Sequence, residues 1–351
     1  MTLAVRRALR VGPVSVAWRP RAVVVPVVLA VVVLLLLAIN VGRGDFPISV
    51  PDVLRALLGG GTPADRFIVL QLRLPRSLTG VLVGLAFGIA GAILQSLARN
   101  PLASPDLLGI TYGAAAAAVA SVVLGAGAVG GVLGALGTPL AALLGGLLSA
   151  AVVYALAWRQ GFSGFRLVLI GVAMAAVLSS LTSYLLVVGD LNEAARAAVW
   201  LVGSLNGRDW EHVVPVGLVV AVAAVLCLLG SASLRALRLG EDSARSLGVR
   251  LQTAQSAQLA LAVALASVAV AAAGPVPFVA LIAPQIAMRL VRSAGPPLLA
   301  GGLVGAALVL GADVVSRSLL PAELPVGVVT AAVGAPYLIY LLARGTRRTS
   351  A

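Results

Sequence analysis

Residues Arg99–Ala114 read RNPLASPDLLGITYGA and lie between two apolar runs, one from Leu78 to Ala98 and one from Leu107 to about Leu124. Each run is long enough to cross a bilayer core about 30 Å thick, which takes roughly 20 helical residues. The stretch between them is polar and carries two prolines and an Asn-Pro turn at Asn100–Pro101. Such a hinge belongs in a loop at a membrane face, because Pro cannot donate to a helix ladder and Asn-Pro favours turn initiation.

Composition extends that reading to the whole chain. Of 351 residues, 60% are hydrophobic and 11% charged, and the mean hydropathy is +1.08. Soluble domains carry about 25% charged residues, so the solvent for most of this surface must be lipid. One cysteine, Cys227, excludes a disulfide framework, and one histidine, His212, cannot form a metal cluster alone. All 25 basic residues are arginine. Without a lysine there is no phosphate-binding loop, so the chain does not hydrolyse ATP by itself.

Apolar runs bounded by charges, Gly-Pro pairs or Asn predict ten spans, near 22–40, 77–97, 107–125, 131–157, 166–188, 212–232, 253–273, 278–292, 298–318 and 325–343. The eighth is short, and Gly274, Pro275 and Pro277 interrupt its start, which fits a broken or tilted helix. The first follows five arginines like a signal sequence but continues to Asn40 with no Ala-x-Ala cleavage site, so it reads as an uncleaved span. With the N-terminus inside, the inner loops hold 17 arginines against three acids, and the outer loops eight against eight. The positive-inside rule therefore puts both termini, including a tail over 1–21, in the cytoplasm.

Three connections are longer than turns. In the outer loop 41–74, Ser49 as N-cap, Pro51 in the first turn and Gly59–Gly61 as a stop predict a short interfacial helix. The outer loop 189–211 is charged, with Trp200 and Trp210 as interface anchors. The inner loop 233–251 is the most polar segment and predicts an amphipathic helix from Glu241 to Leu247, ended by Gly248. Such a helix either lies on lipid or fits a partner's groove.

The interior is short of charge. Asp313 is the one carboxylate well inside a span, four residues before Arg317, so an i,i+4 pair is expected. The alternative is an intramembrane proton or cation site, the mark of an ion-coupled secondary transporter. Glycines recur every fourth residue at Gly80, Gly84 and Gly88, at Gly127 and Gly131, and at Gly301 and Gly305. Small residues at that spacing let helix backbones approach closely in lipid. No cluster of His, Cys, Ser or carboxylates offers a membrane enzyme its chemistry.

The segment RLPRSLTGVLVGLAFGIAGAILQSLARNPLASPDLLGITYGA resembles the signature of the iron–siderophore and vitamin B12 ABC importer permeases. So do LGEDSARSLGV (239–249), GPVPFVALIAPQIAMRL (274–290), GADVVSRSLL (311–320) and ELPVGVVTAAVGAPYLIYLL (323–342), in family order. The resemblance implies an all-α polytopic fold of about ten transmembrane helices, the type II importer permease fold, as a single domain over 1–351 in the inner membrane. Implied partners are separate ATP-binding cassette ATPase subunits, an extracytoplasmic siderophore-binding protein and a second permease copy or paralogue. It implies no cofactor, no metal site and no nucleic acid.

Roles carry over where motifs match. Arg73 and Arg76 of RLPR and Arg317 resemble outer-face arginines that pair with carboxylates of the binding protein. Leu239, Gly240, Glu241, Ala244, Leu247 and Gly248 resemble a coupling helix inserted into the ATPase, with Ala244 and Leu247 presented to it. Gln95, Asn100, Pro101, Pro105, Gly109, Pro284 and Gln285 mark the motif and translocation region. Many relatives carry His where this chain has Gln285, and the Ala-Pro-Gln form resembles permeases for catecholate siderophores such as enterobactin. The expected cargo is a ferric siderophore, with cobalamin or haem as the alternative within the family.

Overall fold

The structure, a computed structural model, describes residues 8–11, 14–17, 20–44, 46, 48–125, 130–158, 164–318 and 323–349. It is helical apart from one antiparallel two-stranded ladder in the N-terminal tail, β1 (Ala8–Val11) with β2 (Val14–Ala17). Ten helices correspond to the ten expected spans: α1 (Pro20–Gly42), α4 (Leu74–Ala98), α5 (Ile110–Val123), α6 (Gly130–Ala157), α7 (Gly164–Val188), α9 (Trp210–Arg238), α11 (Leu251–Ala273), α12 (Val279–Val291), α13 (Leu298–Ser318) and α14 (Val326–Thr349). Seven are long and apolar enough to span a bilayer outright; α5, α12 and the apolar part of α14 are shorter. At 1.5 Å per residue the 13 residues of α12 rise only about 20 Å.

Four short helices fill the connections: α2 (Val50–Leu57), α3 (Pro63–Phe67), α8 (Leu191–Leu201) and α10 (Glu241–Ser246). The caps of α2 are those expected, with Ser49 accepting from the Asp52 amide and proline in the first turn. Helix α8 was not anticipated, although Asp190 and Glu193 form a capping box that announces it. Between α3 and α4 the ladder widens to a π-turn over Ile68–Arg73. Pro75 explains it: with no N–H of its own, it leaves the preceding carbonyls to find donors further along. Helix α6 breaks at Gly137 (φ 71°), so its membrane portion is Gly137–Ala157 rather than 131–157.

Helix α4 is the central post, packed by α9, α11, α12 and α13, while α1 and α7 turn most of their surface outward. The glycine stripes of α4 and α13 meet as a single interface. A Cβ on Gly88 would lie 2.2 Å from the Gly301 carbonyl oxygen, and one on Gly84 2.5 Å from that of Gly305. On the other side of α4, Gly91 sits against the Ala280 carbonyl of α12. In lipid this backbone contact supplies the dispersion that larger side chains would block. The stripe at Gly127 and Gly131 falls partly outside the described residues.

Trp200 and Trp210, expected as interface anchors, make contacts within the chain. Trp210 donates its indole N–H to the Leu70 carbonyl at 3.0 Å, joining α9 to the π-turn. Trp200 packs against the main apolar core.

Candidate functional site: a cavity between two polar faces

A cavity of about 940 Å³ runs between α5, α7, α14 and the segment leading into α12. Its floor is the 99–109 loop, and the local chemistry sets that loop's shape. Arg99 ends α4 in the left-handed region (φ 49°). The Asn100 side chain accepts from the Leu102 amide at 2.9 Å, and Pro105 O accepts from Leu108 and Ile110, each at 3.2 Å. Gly109 (φ 71°) starts α5, and its carbonyl takes a hydrogen bond from Ser149 at 2.9 Å. Asn100, Pro101, Pro105 and Gly109 thus build the loop but do not line the cavity. Their neighbours Leu102, Ser104, Asp106 and Leu107 do.

Gln95 and Gln285 are brought together, although not at the cavity. Gln285 Nε2 donates to Gln95 Oε1 at 2.6 Å, and Gln95 Nε2 to the Leu281 carbonyl at 2.9 Å, with both side chains buried. They clamp α12 onto α4, close to Pro284, which is itself buried inside α12. A buried amide pair is retained only when its hydrogen bonds are made, and here each amide finds a partner.

Away from the floor the cavity is apolar, broken by hydroxyls from Thr111 and Tyr112 of α5 and from Ser179, Thr182 and Ser183 of α7. Sequence reasoning missed these. The three on α7 recur at helical spacing in an apolar span and could have been read as a polar stripe. In the sequence, Asp106 reads only as one of the three inner-loop acids, with Glu241 and Asp242. Burial pushes its carboxyl above the ordinary carboxylate range, with the Thr111 hydroxyl pulling the other way. At the far end, Gly203, Gly274 and Gly327 form a close junction of the α8 end, the α11–α12 connection and the start of α14, with Gly327 N donating to Gly203 O at 3.1 Å.

The three arginines expected to meet a binding protein each have partners within the chain. Arg73 is buried and donates to the carbonyls of Val41 (3.1 Å), Gly42 (3.3 Å) and Phe46. Arg76 reaches across to α13 and pairs with Asp313 at 2.7 Å and with Glu323 at 2.9 Å. Arg317 donates to the Asn40 side chain at 3.2 Å and to the Arg43 carbonyl at 3.0 Å. The expected Asp313–Arg317 pair does not form, because the close α4–α13 contact brings Arg76 to the carboxylate first. Beside Arg76 opens a groove of about 540 Å³ edged by Arg196, Trp200, Asn206, Arg208 and Glu323.

At the opposite end α10 sits between α9 and α11. Gly240 (φ 115°) and Gly248 (φ 79°) set its two ends. Leu239 and Leu247 are exposed and Glu241 half-buried. Ala244 is fully buried against the protein's own core, which corrects the expectation that it faces a partner. The platform is pinned by Arg238, which donates to Ser96 at 2.8 Å and to the Pro296 carbonyl.

A multi-span helical chain with a solute-sized cavity, an exposed apolar-tipped helix at one end and an arginine-edged groove at the other is a permease subunit. The chain belongs to the FecCD transport family, whose model matches residues 30–344. It is 43% identical over 313 residues to the achromobactin transport system permease protein CbrC of Dickeya dadantii, covering 88% of each chain. It is 38% identical over 306 residues to the ferric enterobactin permease protein FepG of Escherichia coli, covering 87% of this chain and 91% of that one. Relatives named for hydroxamate and citrate chelates match as well. A solved structure described as an inward-facing metal-chelate type ABC transporter superposes with a TM-score of 0.77 at 28% identity, covering 92% of this chain and 99% of that one.

Proposed function

We propose that this chain is one of two membrane-spanning halves of an importer that moves a ferric siderophore into the cytoplasm, with ATP hydrolysed on separate subunits. The observation that carries the reading is the cavity itself. Its volume lies at the upper end of the roughly 300–1,000 Å³ typical of small-molecule sites. Its lining residues Tyr112, Val202 and Val328 stay exposed, which is the geometry of a half-channel awaiting a second permease. Charge asymmetry supports both termini being cytoplasmic. On that orientation Leu239, Glu241 and Leu247 of the α10 platform meet the ATPase, and the arginine-edged groove meets an acidic binding protein.

In that docking, Arg73 and Arg317 hold the outer loop in place and Arg76 shapes the groove floor, while Arg196, exposed on α8, is the contact arginine. Asp313 gives a secondary transporter little to work with, since it is fully buried and paired to Arg76. The catecholate expectation rested on Gln285, which is buried against Gln95 and out of the cavity. Relatives divide among several chelate chemistries, so the cargo must be read from the cavity.

The test is uptake of radioactive iron chelates into proteoliposomes containing this permease, its ATPase and its binding protein. Uptake should require ATP and survive a proton uncoupler. Loss of uptake on collapsing the gradient, with ATP intact, would overturn the reading.

A further inference from the structure

The cavity carries one ionisable carboxylate and no cation among its described lining residues. Asp106 sits on the floor, in the loop joining α4 to α5. The arginine on the same loop, Arg99, is turned away, donating to the Leu237 carbonyl of α9 at 3.3 Å. The remaining walls are aliphatic side chains, prolines, Phe278 and the hydroxyls of α5 and α7. A second copy of the chain closing the half-channel would add a second Asp106 and, among the described lining residues, again no arginine.

We propose that this cavity selects its cargo by charge, taking a neutral or cationic ferric chelate and disfavouring a polyanionic one, with Asp106 as the specificity-determining residue. This rests on the import reading above. The iron chemistry divides the candidates. Three hydroxamates, each with one negative charge, neutralise a ferric ion, whereas three catecholates, each with two, leave a trianion. A trianion in an apolar cavity loses its hydration and finds no positive group, and hydroxyl donors compensate only in part. It also meets Asp106 at short range and low effective dielectric, where like charges repel far more than in water. Asp106 must then either repel it or take up a proton. A cationic arm on the chelate does the reverse: it supplies the counter-charge that the half-buried carboxylate lacks among the described residues. Burial already raises the Asp106 carboxyl, in line with a group short of such a partner.

The test uses one tris-hydroxamate scaffold whose terminal amine is left free, acetylated or succinylated, so that charge changes and the iron centre does not. Uptake is measured with the complete transporter in proteoliposomes, each chelate presented on saturated binding protein. For the unsubstituted chain, uptake should fall from ammonium to acetyl to succinyl, about tenfold across the series. Asp106→Asn should flatten the series to within about twofold, while Asp106→Glu, which keeps the charge, should preserve its order. A flat series in the unsubstituted transporter, or an unchanged slope in Asp106→Asn, would overturn the proposal. Uptake of a tris-catecholate with none of the three hydroxamates would also overturn it and leave the import reading standing. No uptake of either class would overturn the import reading itself.

Discussion

Arg76 on α4 and Asp313 on α13 form a buried ion pair, Nη2 to Oδ1 at 2.7 Å, across a helix contact built from facing glycines. The guanidinium also holds Glu323 at 2.9 Å and faces Asn206 at 3.4 Å, so one side chain ties α4, α13, the approach to α14 and the loop after α8. Asp313 has no exposed surface, and its Oδ2 makes no hydrogen bond among the described residues.

Removing one partner of this pair is therefore expected to matter unequally. Arg76→Met leaves a buried carboxylate without its cation and should destabilise by about 3–5 kcal/mol. Asp313→Asn leaves Arg76 with Glu323 and should be milder. Thermal unfolding in detergent micelles checks the order, and Arg76→Met combined with Asp313→Leu should recover part of the loss. Equal effects of the two single changes would contradict the unequal pairing.

The glycine interface gives a sharp steric contrast. Gly88→Ala would place a Cβ 2.2 Å from the Gly301 carbonyl oxygen, a clash of backbone that no side-chain rotation relieves. Gly311, on the same helix α13 but facing open space, has nothing within 4 Å of an added Cβ. Gly88→Ala should sharply reduce recovery of folded protein, and Gly311→Ala should leave it unchanged. Size-exclusion yield after membrane extraction is the readout.

On the α10 platform, burial separates folding from coupling. Leu247→Asp alters an exposed residue and should leave the melting temperature alone while weakening ATPase association and uptake. Ala244→Asp buries a charge in the core and should unfold the platform itself. If Leu247→Asp transports normally with normal ATPase binding, α10 is not the coupling element.

For docking, reversing Arg73 should destabilise the outer loop, because its guanidinium satisfies the carbonyls of Val41, Gly42 and Phe46. Gly44 is locked into the same corner: an added Cβ would lie 2.5 Å from Arg317 Nη2 and 2.9 Å from Arg73 Nη2. Arg196→Glu should leave stability intact but weaken binding-protein affinity, with a change at most about 1 kcal/mol that shrinks at high salt. Nanodisc affinity measurements at two salt concentrations test this; a salt-independent, unchanged affinity would remove Arg196 from the interface.

Much of the architecture is set by chain-local chemistry and is legible in the sequence. Ten apolar runs, the Ser49 cap, the Gly248 stop and the Asn100–Pro101 turn depend on composition, periodicity and residues within one helical turn of each other. The asymmetry of arginine is likewise a property of the linear chain. Contacts between distant segments were not legible, because they depend on which faces meet. Asp313 has Arg317 four residues away in sequence, yet it pairs with Arg76, 237 positions distant, once glycines let α4 and α13 close together. Ala244 and Leu247 both read as apolar positions presented to a partner by a polar helix, and only packing against α9 and α11 turned one inward and left the other exposed. Asp106 is one inner-loop acid among three in the sequence, and folding sets it, alone in charge among the described lining residues, on the floor of an apolar cavity. The sequence determined that this chain is a bundle of membrane helices with its arginines concentrated in alternate loops. The tertiary structure decided which charges hold the fold and which one lines the cavity, because burial and the identity of the neighbours, not spacing along the chain, determine what a charge can do.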